Sequence, residues 1–138
     1  MTSEVTNESL VRQFFLRWEA SFEEFCAGFL ELMSGDCVLI QSGFPDFTGP
    51  AAVVELLRAA RVQQRIETIK VDVVRLVSSG SCVVSERIDY LLNAEGRVLT
   101  TVPVVGIMDI RAGKIVAWRE YFDSQLLDGL AQQAALQS

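Results

Sequence analysis

Lys114-Ile115-Val116-Ala117-Trp118-Arg119-Glu120-Tyr121-Phe122-Asp123 joins an apolar run to a segment that mixes bulky aromatics with charge and ends on a carboxylate. Residues 114–122 read as a strand, and the alternation of side chains along a strand groups Arg119, Tyr121 and Asp123 on one face. Toward the N-terminus three more runs have the same apolar, β-branched character: 98–110, 82–92 and 66–76. Ala112-Gly113, Asn93-Ala94-Glu95-Gly96 and Ser78-Ser79-Gly80 separate the four runs; these are hairpin lengths, with Gly where positive φ is wanted. Four strands joined this way form an antiparallel meander. Pro103 and Gly106 inside the third run predict a bulge or bend that curves the sheet.

Within the run 82–92, Arg87 and Asp89 stand two apart among Val, Ile and Leu, so both side chains lie on one face. If this run neighbours the one that ends at Asp123, then Arg87, Asp89 and Asp123 converge on one side of a largely apolar sheet. Patterning alone leaves a rival open, in which Arg87 and Asp89 are a solvated ladder pair and Asp123 caps a helix that starts near Ser124.

Upstream the periodicity is helical. Thr6 or Asn7 caps a first helix with Leu10, Val11, Phe14, Phe15 and Trp18 on one stripe. Ser21 and Glu24 form a capping box for a second, with Phe22, Phe25, Cys26, Phe29, Leu30 and Met33 inward and Gly35 at its end. A short strand over 37–41 and an irregular loop over 42–49 lead to a third helix that opens on Pro50 and ends near Ala60. Residues 126–136 predict a closing helix. Helices first and a meander afterwards make an α+β domain, a single one over residues 1–138. Its strongly curved antiparallel sheet, with the N-terminal helices packed across the concave face, encloses a cone. The charged residues would point into it.

Composition narrows the function. The net charge of −6, with no basic stripe, argues against nucleic acid as a partner. The N-terminus is polar and acidic and no apolar run approaches the roughly 20 residues of a membrane span, so the expected location is the cytoplasm, with no membrane partner. Three widely spaced cysteines without a CxxC pair predict reduced core thiols, neither a disulfide framework nor a metal site. The absence of histidine leaves acid–base work to carboxylates, Tyr, Lys or thiols. A mean hydropathy of +0.29, with Val98, Leu99, Val102 and Val105 on both parities of one strand, predicts a sheet face covered by a second copy in a homodimer.

The order of elements resembles the nuclear transport factor 2-like, or SnoaL-like, cone fold. More specifically, Glu86-Arg87-Ile88-Asp89 and the segment 113–123 resemble the limonene-1,2-epoxide hydrolase family. In that family an Arg-x-Asp pair and an Asp closing a Trp-Arg-Asp-Tyr-Phe-Asp segment form a catalytic Asp-Arg-Asp triad. The resemblance implies Asp123 as general base, Asp89 as general acid and Arg87 as the cation between them, with Glu120 in place of the family's Asp in that segment. It implies one-step opening of a small apolar epoxide by activated water, without cofactor or metal. The family also has a Tyr-x-Asn that holds the attacking water, and Leu39 and Gln41 stand at those positions. Gln41 keeps the donor and acceptor groups of Asn; Leu39 has none. That departure leaves two alternatives open. One is an epoxide-opening cyclase in which a substrate hydroxyl replaces water; the other is a non-catalytic ligand-binding or dimerisation module on the same fold.

Overall fold

The computed structural model describes residues 3–136. Its elements are α1 (Ser3–Ala20), α2 (Phe22–Leu32), β1 (Val38–Gln41), β2 (Phe47–Thr48), α3 (Pro50–Gln64), β3 (Thr68–Ser79), β4 (Cys82–Leu92), β5 (Val98–Arg111), β6 (Lys114–Tyr121), a 3-10 turn (Ser124–Leu127) and α4 (Leu130–Leu136). The predicted α+β order holds: helices lead, a meander follows, and the four long strands pair in sequence, each antiparallel to the next. One feature of the sheet lies outside a pure meander. β1 joins it alongside β6 and runs parallel to it, with β2 beyond, so the six-stranded order is β2-β1-β6-β5-β4-β3 and the sheet is mixed.

The helices pack as their stripes require. Val11, Phe14, Phe15 and Trp18 of α1 and Phe22, Phe25, Cys26 and Phe29 of α2 are buried in one cluster with Val83, Met108, Ile115 and Trp118 of the sheet. Phe14 is fully buried and meets Trp18, Phe29 and Trp118 at ring centroid distances of 5.0 to 5.6 Å, mostly edge to face. Leu30, assigned to the inward stripe, is instead 54% exposed on the opposite face of α2. A second cluster joins Ile66, Leu91, Val102, Val104 and Leu130, so α4 packs against β4 and β5.

Helix ends depart from several expectations. α1 is already helical at Ser3, which places Thr6 and Asn7 inside it and not at its cap. Ser21 does cap α2, its hydroxyl accepting from the Glu24 amide at 3.1 Å. That helix stops at Met33, before Gly35, because Met33 turns extended and bridges to Ile115 of β6. α3 runs on past Ala60 to Gln64 and ends on Arg65 in the left-handed region. The β5–β6 hairpin turns on Ala112 and Gly113, both with positive φ, as a two-residue primed turn demands.

Pro103 and Gly106 make no bulge. β4 and β5 stay in continuous register from Cys82↔Asp109 to Leu91↔Thr100. Pro103 is tolerated because β6 pairs with β5 only from Val105 onward, so that edge of β5 is free at position 103. Gly106 has a different reason, which lies in the site.

Candidate active site

β4 places Ser85, Arg87 and Asp89 on the inward face, and all three are buried. Arg87 is 1% exposed, and a guanidinium so far from water must find partners for five N–H groups. It finds all five. Nε donates to Asp89 Oδ1 at 2.9 Å and Nη2 to Asp89 Oδ2 at 3.2 Å; Nη1 donates to Glu120 Oε2 at 2.9 Å and to Ser85 Oγ at 3.2 Å; Nη2 also donates to Glu120 Oε1. Two carboxylates thus grip adjoining edges of one planar cation. The faces of that plane are covered as well, since Arg87 Cζ lies 4.9 Å from the Phe15 ring centroid and 5.4 Å from that of Trp18.

The second carboxylate is Glu120, where Asp123 was expected. Within β6 the register shifts after Ile115, and beyond the shift the buried parity is Trp118 and Glu120; Arg119 and Tyr121 face out, and Asp123 continues their parity beyond the strand's end. Asp123 is exposed, and its Oδ1 accepts from the Gln125 amide at 3.0 Å as the cap of the 3-10 turn. The structure therefore brings Arg87 and Asp89 together and leaves Asp123 apart. Trp118 carried the missed signal: the largest apolar side chain of the run marks its inward face, and Glu120 lies two residues on.

β4 and β6 are not neighbours either, because β5 runs between them, and this is what Gly106 serves. Gly106 pairs with Ser85 on one side and with Glu120 on the other. A Cβ there would lie 2.6 Å from Arg87 Nη1, 3.1 Å from Ser85 Oγ and closer still to Glu120 Oε2. The ion pair crosses the middle strand through the space that a side chain would fill.

Burial alone would disfavour the charge on Arg87, but Glu120 and then Asp89 outweigh it and its pKa lies above the ordinary arginine value. For Asp89, burial comes first and raises the carboxyl above the usual aspartate range, the charge and hydrogen bonds of Arg87 pull it down, and the charge of Glu120 adds to the rise. Asp89 is thus the carboxyl whose surroundings favour the protonated form. The Cys37 thiol is also buried, which pushes it up to about 11 and keeps it from being a nucleophile.

The ion cluster floors a cavity of about 120 Å³. Phe25, Phe29, Trp18 and Trp118 line it with Leu91, Val102, Val104, Phe122 and Leu127. Phe122 in turn packs on Phe44, 6.2 Å between centroids. β1 adds Leu39 beside Trp118 and Gln41 beside Glu120. Gln41 Oε1 is buried without a protein partner among the described residues, an acceptor on a residue that pairs with Glu120 in the sheet and lines the same cavity. Two carboxyls and an unpaired acceptor in a largely apolar cavity have the groups that proton transfer to and from a bound neutral molecule requires.

Gly106→Ala tests the crossing. We expect it to lower stability by about 1–3 kcal/mol in denaturant unfolding, because the added methyl must displace a buried, fully bonded ion pair. Unchanged stability would mean that the pair does not occupy that space.

Comparisons with known proteins bear on the family and the fold. Over 91 residues, 66% of this chain, the sequence is 33% identical to the epoxide hydrolase EphG of Mycobacterium tuberculosis, a match that spans 58% of that protein's length. The fold superposes on the structure of an epoxide hydrolase of the limonene-1,2-epoxide hydrolase type from M. tuberculosis with a TM-score of 0.73 at 26% identity, covering 98% of this chain and 97% of the other. A SnoaL-like polyketide cyclase fold from Jannaschia sp. CCS1 superposes with a TM-score of 0.74 at 16% identity, covering 95% of each chain. The family described as limonene-1,2-epoxide hydrolase catalytic domain matches residues 10–132, and the chain belongs to that family.

Proposed function

We propose that this chain is a cofactor-independent epoxide hydrolase with an Asp89–Arg87–Glu120 triad. The observation that carries the reading is the buried guanidinium gripped by two carboxylates at the floor of an apolar cavity. Epoxide opening in one step needs an ionised base and a protonated acid at the same pH, and two carboxyls achieve this only when their surroundings separate them. Glu120 takes a proton from a water held by Gln41 Oε1. The water oxygen bonds to an oxirane carbon, the C–O bond to that carbon breaks, and Asp89 delivers its proton to the leaving oxygen. The product is a vicinal diol, with the proton moved from Asp89 to Glu120 by way of the reaction. Arg87 has no N–H left for substrate, so the acid is the Asp89 carboxyl and not the guanidinium.

Leu39 favours a second reading. It is buried, lines the cavity and offers no hydrogen bond to a water, so a substrate hydroxyl could take the place of the nucleophile and close a cyclic ether. Simple epoxides assayed against hydroxy-epoxides separate the two, since only a hydrolase converts the former to diols.

Replacement of the carboxylates gives the sharpest test. Glu120→Gln should lower turnover of an accepted epoxide by about 100-fold or more, whereas Asp123→Asn, which keeps an exposed cap of equal quality, should change it by no more than about 2-fold. Loss of activity in Asp123→Asn with Glu120→Gln active would return the base to Asp123.

The pH profile should be a bell. Because Asp89 is raised, its proton persists above the ordinary aspartate range, and activity falls as pH rises through that carboxyl. It falls at low pH as well, where the carboxyl cluster as a whole takes up a further proton and no base is left, the two limits belonging to the coupled pair. Constant kcat/KM from acid to strongly alkaline pH would exclude the two-carboxyl scheme.

We propose further that a second copy covers the outer face of the sheet. Val102, one of the residues that suggested a dimer, is in fact core, but the outward row Val77, Val84, Ile107, Arg119 and Ile40 crosses five strands in register. Val77 and Ile40 are 49% and 42% exposed, and in the next row Val105 and Tyr121 are 41% and 50% exposed. Light scattering at micromolar concentration should give twice the chain mass; a monomer would contradict the proposal.

A further inference from the structure

Among the described residues, three buried side-chain polar atoms have no hydrogen-bond partner: the indole nitrogens of Trp18 and Trp118 and the amide oxygen of Gln41. All three side chains line the same cavity. Gln41 has a use in the proposed reaction; the two indoles have none. They are 3% and 1% exposed, and their rings lie side by side, centroids 6.0 Å apart and 28° from parallel. Their neighbours are aromatic rings, whose faces are weak acceptors at best. With every Arg87 N–H committed, the two indoles are buried donors of this cavity that no described residue matches.

The oxirane oxygen cannot serve both. In an in-line displacement the leaving oxygen lies opposite the nucleophile, toward Asp89 on β4. The nucleophile lies at Glu120 and Gln41, and Trp118 stands beside them on β6, with Leu39 across from it on β1. Water can satisfy the indoles while the cavity is empty of ligand. A purely hydrocarbon epoxide would expel that water and strand two buried donors; a ligand with an acceptor in the right place would not.

We infer that the substrate carries, besides its oxirane, a second oxygen acceptor, a hydroxyl, ether or carbonyl, that seats against the indole N–H groups of Trp18 and Trp118. This rests on the epoxide-opening reading and narrows it from apolar epoxides to oxygenated ones.

The test uses matched pairs. One is a cycloaliphatic epoxide and its counterpart with a carbonyl in place of a remote methylene; the other is an unreactive cyclic ketone and the parent hydrocarbon. After correction for each epoxide's uncatalysed rate, wild type should favour the keto-epoxide in kcat/KM by at least about 10-fold. Calorimetry should show the ketone bound more tightly than the hydrocarbon by a similar factor. In Trp18→Phe or Trp118→Phe, which keep a ring in the aromatic stack, both ratios should fall toward one. Equal handling of the two members in wild type, or a preference that survives in both variants, overturns the inference. So does a Trp118→Phe protein that loses turnover of both epoxides equally, for the indole would then serve the nucleophile. If neither epoxide is opened while the ketone preference and its loss in the variants hold, the hydrolase reading fails and the oxygen-binding inference stands.

Discussion

A guanidinium almost wholly removed from water sets the terms for everything around it. Left unpaired, such a charge would cost several kcal/mol, and removal of one partner from a buried pair is among the more damaging single changes a fold can suffer. Arg87 is accommodated only because three strands and a helix converge on it. β4 supplies Asp89 and Ser85, β6 supplies Glu120, β5 withholds a side chain at Gly106, and α1 lays Phe15 and Trp18 over the cation. The apolar surroundings strengthen these contacts, since an ion pair gains as the local dielectric falls.

The same burial that demands the partners also sets their protonation. With both carboxyls ionised the cluster carries a net charge of −1 in an apolar cavity; with one proton bound it is neutral. Low dielectric favours the neutral cluster, and burial, with the charge of Glu120, raises the Asp89 carboxyl toward its protonated form. In the proposed reaction an acid and a base of similar intrinsic strength would thus be separated by position. Lysine in place of Arg87 would keep the charge and lose the geometry, because an ammonium cannot hold two carboxylates in one plane.

Much of this was legible in the sequence, and the parts that were not have physical reasons. The hairpin turns, the helical stripes of α1 and α2 and the inward parity of Arg87 and Asp89 are local signals, fixed by spacing within a dozen residues. The parallel pairing of β1 with β6 is not local: Leu39 and Trp118 are far apart in sequence, and nothing in Val38–Gln41 names its neighbour. Asp123 and Glu120 were a choice of parity, and the aromatic-rich run offers large side chains on both faces. Trp118 decides it, since only one face of β6 meets the aromatic cluster of α1 and α2. Gly106 read as a bend because glycine in a strand has two uses, curvature and close approach, and only the residues across both ladders tell which applies.

Glu120 has the reach that this crossing asks for. Adjacent strands lie about 4.8 Å apart, so β4 and β6, with β5 between them, are separated by roughly twice that distance. Arg87 spans most of the gap, and glutamate, one methylene longer than aspartate, reaches over Gly106 to meet its Nη1/Nη2 edge while Asp89, on the same strand as the arginine, takes the Nε/Nη2 edge. The two carboxyls are then held by different constraints. Asp89 is bound to the cation through a short side chain and the two-residue spacing of one strand, which fixes it; Glu120 has an extra torsion and is placed by its partner. In the proposed reaction a base on the longer arm would follow a nucleophile held by Gln41 on the adjacent strand, an adjustment that suits a site in which Leu39 offers the nucleophile nothing.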